Sequence, residues 1–380
     1  MASLPFAKIY APVVSTYPAL LRHLYNVNTM ISDSMPAPNS FSKINTQKLY
    51  DAIGRPLDRI PSVLVGGTNG KGSTCLKLAS GLQVSGLKTG LFVSPHISSY
   101  RERVQIDGAL IAESEIMDLM PRVLNICLQQ EIPATFFEIT FALACLQFEA
   151  ASCDTVVLEV GVGGEWDATN VVSAALSIIC SVDLDHTRFL GPTVEAIAIN
   201  KAGIFKGRRP ALWGPGCPQQ VMEQEASSRG AIAFPLHDAL QLSVLQGEGI
   251  KEVPSADTPS YTTTLNTLLA LAGLALLKAS STEALSNRGP NLISIADEDR
   301  DLYKVFSSLR LESPEMMRAL SVNAPCRWER FQIPVAAPGG SKAVEVVLDL
   351  GHNPAAITAL VKRAKQEFAG ERVRYTVSMY

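Results

Sequence analysis

Short apolar runs alternate with longer amphipathic stretches over residues 62–214 of the chain. The runs are continuous and rich in Val, Ile and Leu, which is typical of strands buried on both faces of a parallel sheet. They predict strands at 62–66, 89–94, 155–160, 175–183 and 210–214. The periodicity of the stretches between them predicts helices at 73–85, 113–129, 138–150 and 193–201. This alternation predicts an α/β fold, with a mostly parallel sheet flanked by helices.

The two ends of the chain follow different patterns. They predict a helix at 17–30, a polar loop at 31–42, a helix at Leu265–Leu277 and surface excursions at 243–260 and 281–301. Beyond Trp328 they predict a strand at 331–335, a turn at 338–340, a strand at 343–349, a helix at 353–369 and a strand at 373–379. We therefore expect an N-terminal helix and loop at 1–40, a central α/β domain at 41–325 and a second domain beginning at 326–380. The second domain is incomplete, because independent domains typically need about 100 residues.

Composition narrows the possible partners and locations. The 380 residues are 47% hydrophobic and 18% charged with a net charge of −3, so no basic excess indicates nucleic-acid binding. Seven scattered cysteines without a C-x-x-C pair favour reduced thiols over a disulfide scaffold or a zinc site. No stretch predicts a membrane span or a secretory signal, so we expect a cytoplasmic protein. A mitochondrial location is the alternative, because residues 1–20 contain no acidic residue.

A glycine-rich turn with an embedded lysine follows the first predicted strand. It reads Gly67-Thr68-Asn69-Gly70-Lys71-Gly72-Ser73-Thr74 and leads directly into a predicted helix. Glycines let backbone N–H groups converge on an anion, the helix N-terminus adds partial positive charge, and Lys71 adds a full charge. The hydroxyls of Ser73 and Thr74 are candidate ligands for Mg²⁺. The segment predicts a site for nucleotide phosphates, and the alternative is an ordinary glycine turn.

Polar side chains also follow two other predicted strands. Glu159 ends a buried strand before a glycine cluster, and His186 comes soon after the strand at 175–183. Ligands of open α/β sheets bind at the carboxyl ends of the strands, so both residues are candidates for holding a metal beside the phosphates. The alternatives are a solvated glutamate on a turn and a structural histidine. Lys201, judged on its own, would be a surface lysine of a helix.

A third polar cluster closes a predicted strand near the C-terminus and opens a helix. Asp349 at this strand end is suited to ribose hydroxyls or to a phosphate-linked water, and His352 to a transferred phosphate or an anionic substrate. The alternative is a turn and helix cap formed by Asn353-Pro354.

These motifs, in this order, resemble the folylpolyglutamate synthase/dihydrofolate synthase family of the Mur ligase superfamily. The resemblance runs from about residue 17 to the end and rests on the glycine-rich turn and six further segments. They are Ser94-Pro95-His96, Arg101-Glu102-Arg103, Glu159-x-Gly-x-Gly-Gly with Asp167-x-Thr-Asn170, Asp185-His186, Lys201-Ala-Gly-Ile-Phe and Asp349-x-x-His352-Asn-Pro. The resemblance implies a P-loop central domain of the Mur ligase type and an incomplete Rossmann-like C-terminal domain.

The resemblance also implies a role for individual residues around ATP and two Mg²⁺ ions. It places Lys71 and Ser73 on the β- and γ-phosphates. It makes Ser94 a ligand of the first Mg²⁺, Glu159 a bridging ligand, and His186 a ligand of the second Mg²⁺.

Five more positions follow from the resemblance, and a sixth departs from it. Lys201 matches a lysine that relatives carry as a carbamate, which completes the second metal site. Asn266 and Arg327 match ATP-contacting residues, and the C-terminal domain supplies Asp349 and His352. Cys326 departs from the pattern, because glycine is common at its position.

The implied activity is an ATP-dependent ligation in which a carboxylate is phosphorylated and the amine of L-glutamate attacks the acyl phosphate. The implied substrates are a reduced folate or dihydropteroate, with L-glutamate and ATP, and Phe137-Glu138 is similar to members that also act on dihydropteroate. We expect a monomer. Relatives continue beyond the position of Tyr380, so the alternative function is a catalytically impaired, truncated nucleotide-binding homologue.

Overall fold

An eight-stranded sheet lies at the centre of the residues that the computed structural model describes. These residues are 4–11, 16–34, 43–242, 245, 261–281, 301–337, 340–369, 373 and 376. The strands are β1 (Ser62–Gly66), β2 (Thr89–Phe92), β3 (Val104–Ile106), β4 (Ala109–Leu110), β5 (Thr155–Glu159), β6 (Leu176–Ile179), β7 (Pro210–Trp213) and β8 (Ile232–Pro235). Their order across the sheet is β4-β3-β2-β5-β1-β6-β7-β8.

The five strands predicted from the apolar runs are confirmed, with shorter ends. Together with β8 they run parallel, and their side chains alternate between two cores because successive residues of a strand face opposite sides. Leu64 and Leu158 pack into the core on one face, and Val63 and Val157 into the core on the other. β3 and β4 pair antiparallel at one edge and β8 closes the other edge. β3 and β4 were not predicted, because three and two residues are too few to show a clear apolar period. β8 was not predicted either.

Helices cover both faces of the sheet. They are α1 (Leu4–Tyr10), α2 (Tyr17–Ser34), α3 (Ile44–Ala52), α4 (Lys71–Val84), α5 (Glu113–Gln129), α6 (Phe136–Ala150), α7 (Thr187–Leu190), α8 (Val194–Ala202), α9 (Gln219–Ser228), α10 (Leu236–Ala239), α11 (Tyr261–Ser280), α12 (Pro314–Leu320) and α13 (Pro354–Glu367). The predicted helices are confirmed. The loop predicted at 31–42 begins later than expected, because α2 continues to Ser34. The excursions predicted at 243–260 and 281–301 lie almost entirely outside the described residues.

The N-terminal helices pack into the main core. Leu20 and Leu24 of α2 are fully buried in the same cluster as residues of α5 and α6. The hydroxyl of Tyr10 donates a 2.9 Å hydrogen bond to the carbonyl of Ala134. The described part of the predicted N-terminal segment therefore shares its core with the central α/β part.

α11 is long and apolar enough, by length and composition alone, to cross a membrane. The sequence predicted this helix only at Leu265–Leu277, and its full extent, Tyr261–Ser280, is longer. However, 72% of its apolar window is buried inside the protein, where it packs against α4 and β6. Close packing explains the apolar composition of α11: an added Cβ at Gly81 of α4 would lie 2.6 Å from a methyl of Leu274.

A β-hairpin and a helix follow the central part. β9 (Arg327–Ala337) and β10 (Gly340–Asp349) are antiparallel, and α13 follows Asn353. The two predicted strands and the predicted helix are thus confirmed. Most of the predicted turn at 338–340 and strand at 373–379 lie outside the described residues. Asn353 is the N-cap of α13, with its Oδ1 accepting a 2.9 Å hydrogen bond from the N–H of Ala356.

Candidate nucleotide and metal site

The carboxyl ends of β1, β5 and β6 open into one cavity of about 920 Å³. Residues from the loops after these strands line it, together with residues from the start of α11 and from the C-terminal hairpin. The predicted site residues that line this cavity are Gly67, Thr68, Asn69, Gly70, Lys71, Gly72, Ser73, Ser94, Glu159, His186, Lys201, Asn266, Arg327, Asp349 and His352. The structure therefore brings these side chains to one place, as the strand-end argument predicted.

The glycine-rich turn is tied to the loop after β6. The N–H of Thr68 donates to the carbonyl of Ser181 over 2.8 Å, and the N–H of Asn69 donates to the Ser181 hydroxyl over 3.0 Å. Gly70 then caps α4 with a φ of +89°, a conformation that favours glycine. This geometry begins α4 at the cavity wall, so the partial positive charge of its N-terminus faces the cavity.

The ammonium of Lys71 lies over its own loop. Its Nζ donates to the carbonyls of Gly67 and Thr68 over 3.1 and 3.2 Å. These are weak local bonds to neutral acceptors, whereas bonds from an ammonium to an anion are stronger. The side chain is thus free to exchange them for phosphate oxygens in the same cavity.

Glu159 is a buried carboxylate, 4% exposed, at the end of β5. Its Oε2 accepts a 2.9 Å hydrogen bond from the N–H of Ser94. An added Cβ at Gly72 would lie 3.3 Å from the same oxygen, so only a residue without a side chain fits easily there. Burial raises the pKa of Glu159, and the positive charge of Lys71 partly offsets this effect.

Lys201 is a buried lysine, 3% exposed, in the last turn of α8. Burial lowers its pKa to about 7, and the nearby charge of Lys71 acts in the same direction. Within the described part of the chain, no carboxylate lies within ion-pair distance of this amine. A large share of Lys201 is therefore neutral near pH 7, in contrast to an ordinary surface lysine.

Asp185 and His186 follow β6 on the same side of the cavity. The backbone N–H of His186 donates to Oδ1 of Asp185 over 2.8 Å, and the imidazole Nε2 lies 3.9 Å from Oδ2. His186 has a φ of 49°, in the left-handed region, and its side chain is exposed at the cavity. The ring is therefore accessible to a ligand while the backbone is held by its neighbour.

The C-terminal hairpin contributes one wall of the cavity. Both oxygens of Asp349 accept backbone hydrogen bonds, from the N–H of Trp328 over 3.0 Å and from the N–H of Gly351 over 2.8 Å. Arg327 lies 3.9 Å from the same carboxylate. Asp349 thus shapes the turn that presents Arg327 and His352 to the cavity.

Asn353 is a site residue that the sequence indicated only as a helix cap. Its Nδ2 donates to Oδ1 of Asn69 over 3.0 Å, and the Asn69 amide donates in return over 3.4 Å. The same Nδ2 lies 3.5 Å from Oδ2 of Asp185. The start of α13 is therefore joined to the glycine-rich turn. No local signal reveals this contact, since 284 residues separate the two asparagines.

Thr74 is the one member of the glycine-rich segment that does not line the cavity. It is fully buried, and its hydroxyl lies 3.4 Å from Sγ of Cys180. Helix geometry explains this, because successive residues of a helix point about 100° apart and Ser73 takes the cavity-facing direction. Thr74 is therefore not placed to meet a phosphate-bound cation.

The residues present fit a nucleotide-bound divalent cation better than a preformed metal cage. Among the described residues, no group of three or more His, Cys, Asp or Glu side chains is arranged to hold a metal ion. Mg²⁺ in nucleotide sites usually has only one or two carboxylate ligands and takes other ligands from phosphates and water. A buried carboxylate such as Glu159, with Ser94 and His186 in the same cavity, meets that requirement.

The mostly parallel sheet, the glycine-rich turn at a helix N-terminus and the buried strand-end carboxylate are typical of the P-loop class of α/β proteins. Comparison with known proteins narrows this class. The chain is 41% identical over 169 residues to the dihydrofolate synthase/folylpolyglutamate synthase of Escherichia coli, covering 44% of this chain and 39% of that one. It is 38% identical over 200 residues to the enzyme of the same name from Bacillus subtilis, covering 51% and 46%.

A solved structure of a bifunctional folylpolyglutamate synthase/dihydrofolate synthase, with Mn, AMPPNP and L-glutamate bound, aligns with a TM-score of 0.64 and 27% identity. The alignment covers 93% of this chain and 75% of that one. No protein-family profile matches the chain.

The chain is thus homologous to dihydrofolate synthase/folylpolyglutamate synthases and shares their Mur ligase-type fold. The resemblance inferred from the motifs is confirmed. The matched segments span less than half the length of the two curated relatives.

Proposed function

We propose that this chain is an ATP-dependent ligase that joins L-glutamate to a folate through an acyl phosphate. The observation that carries the proposal is the single cavity shared by Lys71, Glu159 and Lys201 at the ends of three parallel strands. The similarity to enzymes of this name supports the choice of reaction over other P-loop chemistry.

The reaction has two steps, a phosphoryl transfer and then an acyl transfer. The γ-phosphoryl group of ATP moves to a carboxylate oxygen of the acid substrate, which gives ADP and an acyl phosphate. The amine of L-glutamate then attacks the acyl carbon, phosphate leaves with the bonding electrons, and the amine loses a proton. Phosphorylation is needed because a free carboxylate has no good leaving group. The protein contributes position and charge neutralisation rather than a covalent intermediate.

Lys71 supplies positive charge where the leaving β-phosphate and the transferred group gain negative charge. The N-terminus of α4 adds partial positive charge on the same side. Arg327 and His352 line the same cavity from the C-terminal part of the chain, where they add groups that can contact phosphate oxygens. Asn266 lies against Gly70, where an added Cβ would be 2.5 Å from its Oδ1. It is therefore placed to contact the nucleotide.

Bound Mg²⁺ would neutralise phosphate charge and orient the transferred group. We propose that Glu159, Ser94 and His186 hold two such ions, in line with the Mn and AMPPNP of the related structure. Lys201 is proposed to carry a carbamate. Its support is the lowered pKa, since a neutral amine is the form that reacts with carbon dioxide.

The acid substrate is proposed to be dihydropteroate or a reduced folate. Phe136, Phe137 and Pro133 line the cavity away from the glycine-rich turn and offer apolar surface to a ring system. For location and assembly we propose a cytoplasmic monomer. The support is that six of the seven cysteines are buried free thiols, as in a reducing compartment.

An ADP-release assay that omits one substrate at a time tests the proposal. We expect release only with ATP, Mg²⁺, L-glutamate and either dihydropteroate or a reduced folate together, and loss of release in Lys71→Ala. Release that is independent of the pterin substrate would overturn the ligase assignment. Nucleotide binding without any release would instead support the impaired, nucleotide-binding homologue.

A further inference from the structure

Lys77 is a buried lysine, 1% exposed, in the middle of α4 and three residues after Thr74, the last residue of the glycine-rich segment. Its Nζ donates hydrogen bonds to the carbonyl of Leu320 over 2.6 Å and to the carbonyl of Val322 over 2.7 Å. In the described part of the chain, no carboxylate pairs with it. Burial lowers its pKa to about 8. Among the described residues, the hydrogen-bond partners of the Lys77 ammonium are thus these two backbone carbonyls.

Those two carbonyls mark the end of one element and the start of the next. Leu320 is the last residue of α12, and Val322 is the second residue of the linker 321–326 that leads to β9. An ammonium near the last carbonyls of a helix is favourable, because these groups lack intrahelical partners and carry partial negative charge. Lys77 therefore fixes the direction in which the chain leaves α12.

The linker carries residues into the nucleotide cavity immediately after this anchor. Asn323 and Ala324 line the cavity, and so do Arg327 at the start of β9 and Lys77 itself. A change in the exit direction at Val322 would therefore move these groups relative to the glycine-rich turn.

The far end of the linker is also held. The N–H of Leu350 donates to the carbonyl of Cys326 over 3.0 Å, and the N–H of Cys326 donates to Oε2 of Glu329 over 2.9 Å. Cys326 has a φ of 49°, in the left-handed region that costs a non-glycine residue energy. Such a conformation persists only where surrounding contacts hold it. The linker is therefore short, strained at one end, and anchored by Lys77 at the other.

We propose that Lys77 is a positioning residue for the nucleotide site, which acts by fixing the linker 321–326 against α4. Through the linker it sets where Asn323 and Arg327 stand relative to the glycine-rich turn. This inference rests on the proposed function only to the extent that the cavity binds a nucleotide. In this role, Lys77 affects nucleotide affinity through the position of the linker, without contacting the reacting atoms.

The test compares the binding of AMPPNP with Mn²⁺ to the wild type and to Lys77→Met by calorimetry. Methionine is close to lysine in length but donates no hydrogen bond. We expect roughly tenfold weaker binding, as when one hydrogen bond to a charged group is lost. Hydrogen exchange of the linker amides 321–327 should be faster in the variant, while exchange in β1 and β5 stays the same. A purely structural role would lower the melting temperature without this local pattern.

Lys88→Met is the matched control, because Lys88 is an exposed lysine just beyond the same helix. Its affinity and exchange should equal those of the wild type. Should Lys77→Met lack a cooperative melting transition, Thr267→Val takes its place, because the Thr267 hydroxyl, which donates to the carbonyl of Thr263 over 3.0 Å, also lies 3.4 Å from the carbonyl of Leu320. That variant should bind about two- to threefold more weakly, in keeping with one neutral hydrogen bond.

Unchanged affinity and unchanged linker exchange in these folded variants, with a wild type that binds AMPPNP, would overturn the role of Lys77 alone. A wild type that fails to bind AMPPNP would instead overturn the proposed function and this inference with it.

Discussion

The backbone N–H of Ser94 donates a hydrogen bond to Oε2 of Glu159 over 2.9 Å, although 65 residues separate the two along the chain. The bond joins the ends of β2 and β5, which are neighbours in the sheet. It uses one acceptor position of a buried carboxylate and points the group at the cavity.

Glu159→Gln should abolish turnover while the protein stays folded. Glutamine keeps the shape and can still accept the bond from Ser94, but it is a poor ligand for Mg²⁺. We expect ADP release to fall by about a hundredfold or more, as when one electrostatic group of an active site is removed. Near-normal release at any Mg²⁺ concentration would contradict the metal role.

The same variant should have a distinct dependence of stability on pH. The folded pKa of Glu159 is raised above its ordinary value of 4.5, so the folded state binds the proton more tightly than the unfolded state. The charged carboxylate therefore lowers the free energy of unfolding of the wild type as the pH rises above 4.5. Glu159→Gln should gain stability relative to the wild type between pH 4 and pH 7, measured by urea unfolding. If the difference in free energy of unfolding between Glu159→Gln and the wild type does not change with pH, the raised pKa of Glu159 is contradicted.

Lys201→Met should have the opposite pH dependence. The pKa of Lys201 is lowered from 10.5 to about 7 in the folded protein, so the unfolded state binds more protons between these values. The free energy of unfolding of the wild type therefore rises with pH across this range. The variant should be more stable by on the order of 4 kcal/mol at pH 7, and this advantage should shrink by pH 9.5. Urea unfolding in bicarbonate-free buffer measures this difference at each pH. If the free energies of unfolding of the variant and the wild type change with pH in the same way, the lowered pKa of Lys201 is contradicted.

Gly70→Ala should harm nucleotide binding more than stability. Gly70 and Gly86 have nearly equal φ values, +89° and +87°, so alanine is strained to a similar extent at both, by about 1–2 kcal/mol. At Gly70 the added Cβ would also lie 2.5 Å from Asn266, whereas nothing lies within 4 Å at Gly86. AMPPNP binding should therefore be lost in Gly70→Ala and retained in Gly86→Ala. Equal affinities would show that the contact with Asn266 does not shape the site.

Much of the fold could be predicted because its parallel strands are buried on both faces. Continuous apolar runs marked five strands, and their ends identified the side of the sheet where Glu159 and His186 had to meet. The glycine-rich turn identified the proposed phosphate position from local sequence alone, and the turn does line the cavity. Site residues on strand ends were therefore within reach of pattern reasoning.

The rest of the site depends on contacts between distant segments, which carry no local signal. Asn353 was indicated as a helix cap, and its capping bond to Ala356 is present, but its bond to Asn69 requires the folded chain. Lys77 lies in a predicted helix whose pattern does not show that α12 ends above it. Short or polar elements such as α3 and β4 were missed because they bury too few residues to create a period.

The central claim is that the ends of β1, β5 and β6 bind the phosphates of a nucleotide. Calorimetric titration of AMPPNP in the presence of Mn²⁺, on the wild type and on Lys71→Ala, tests it most directly. The account predicts one bound nucleotide per chain in the wild type and at least about a hundredfold weaker binding in the variant. Absence of binding to the wild type, or equal affinity in both proteins, would contradict it.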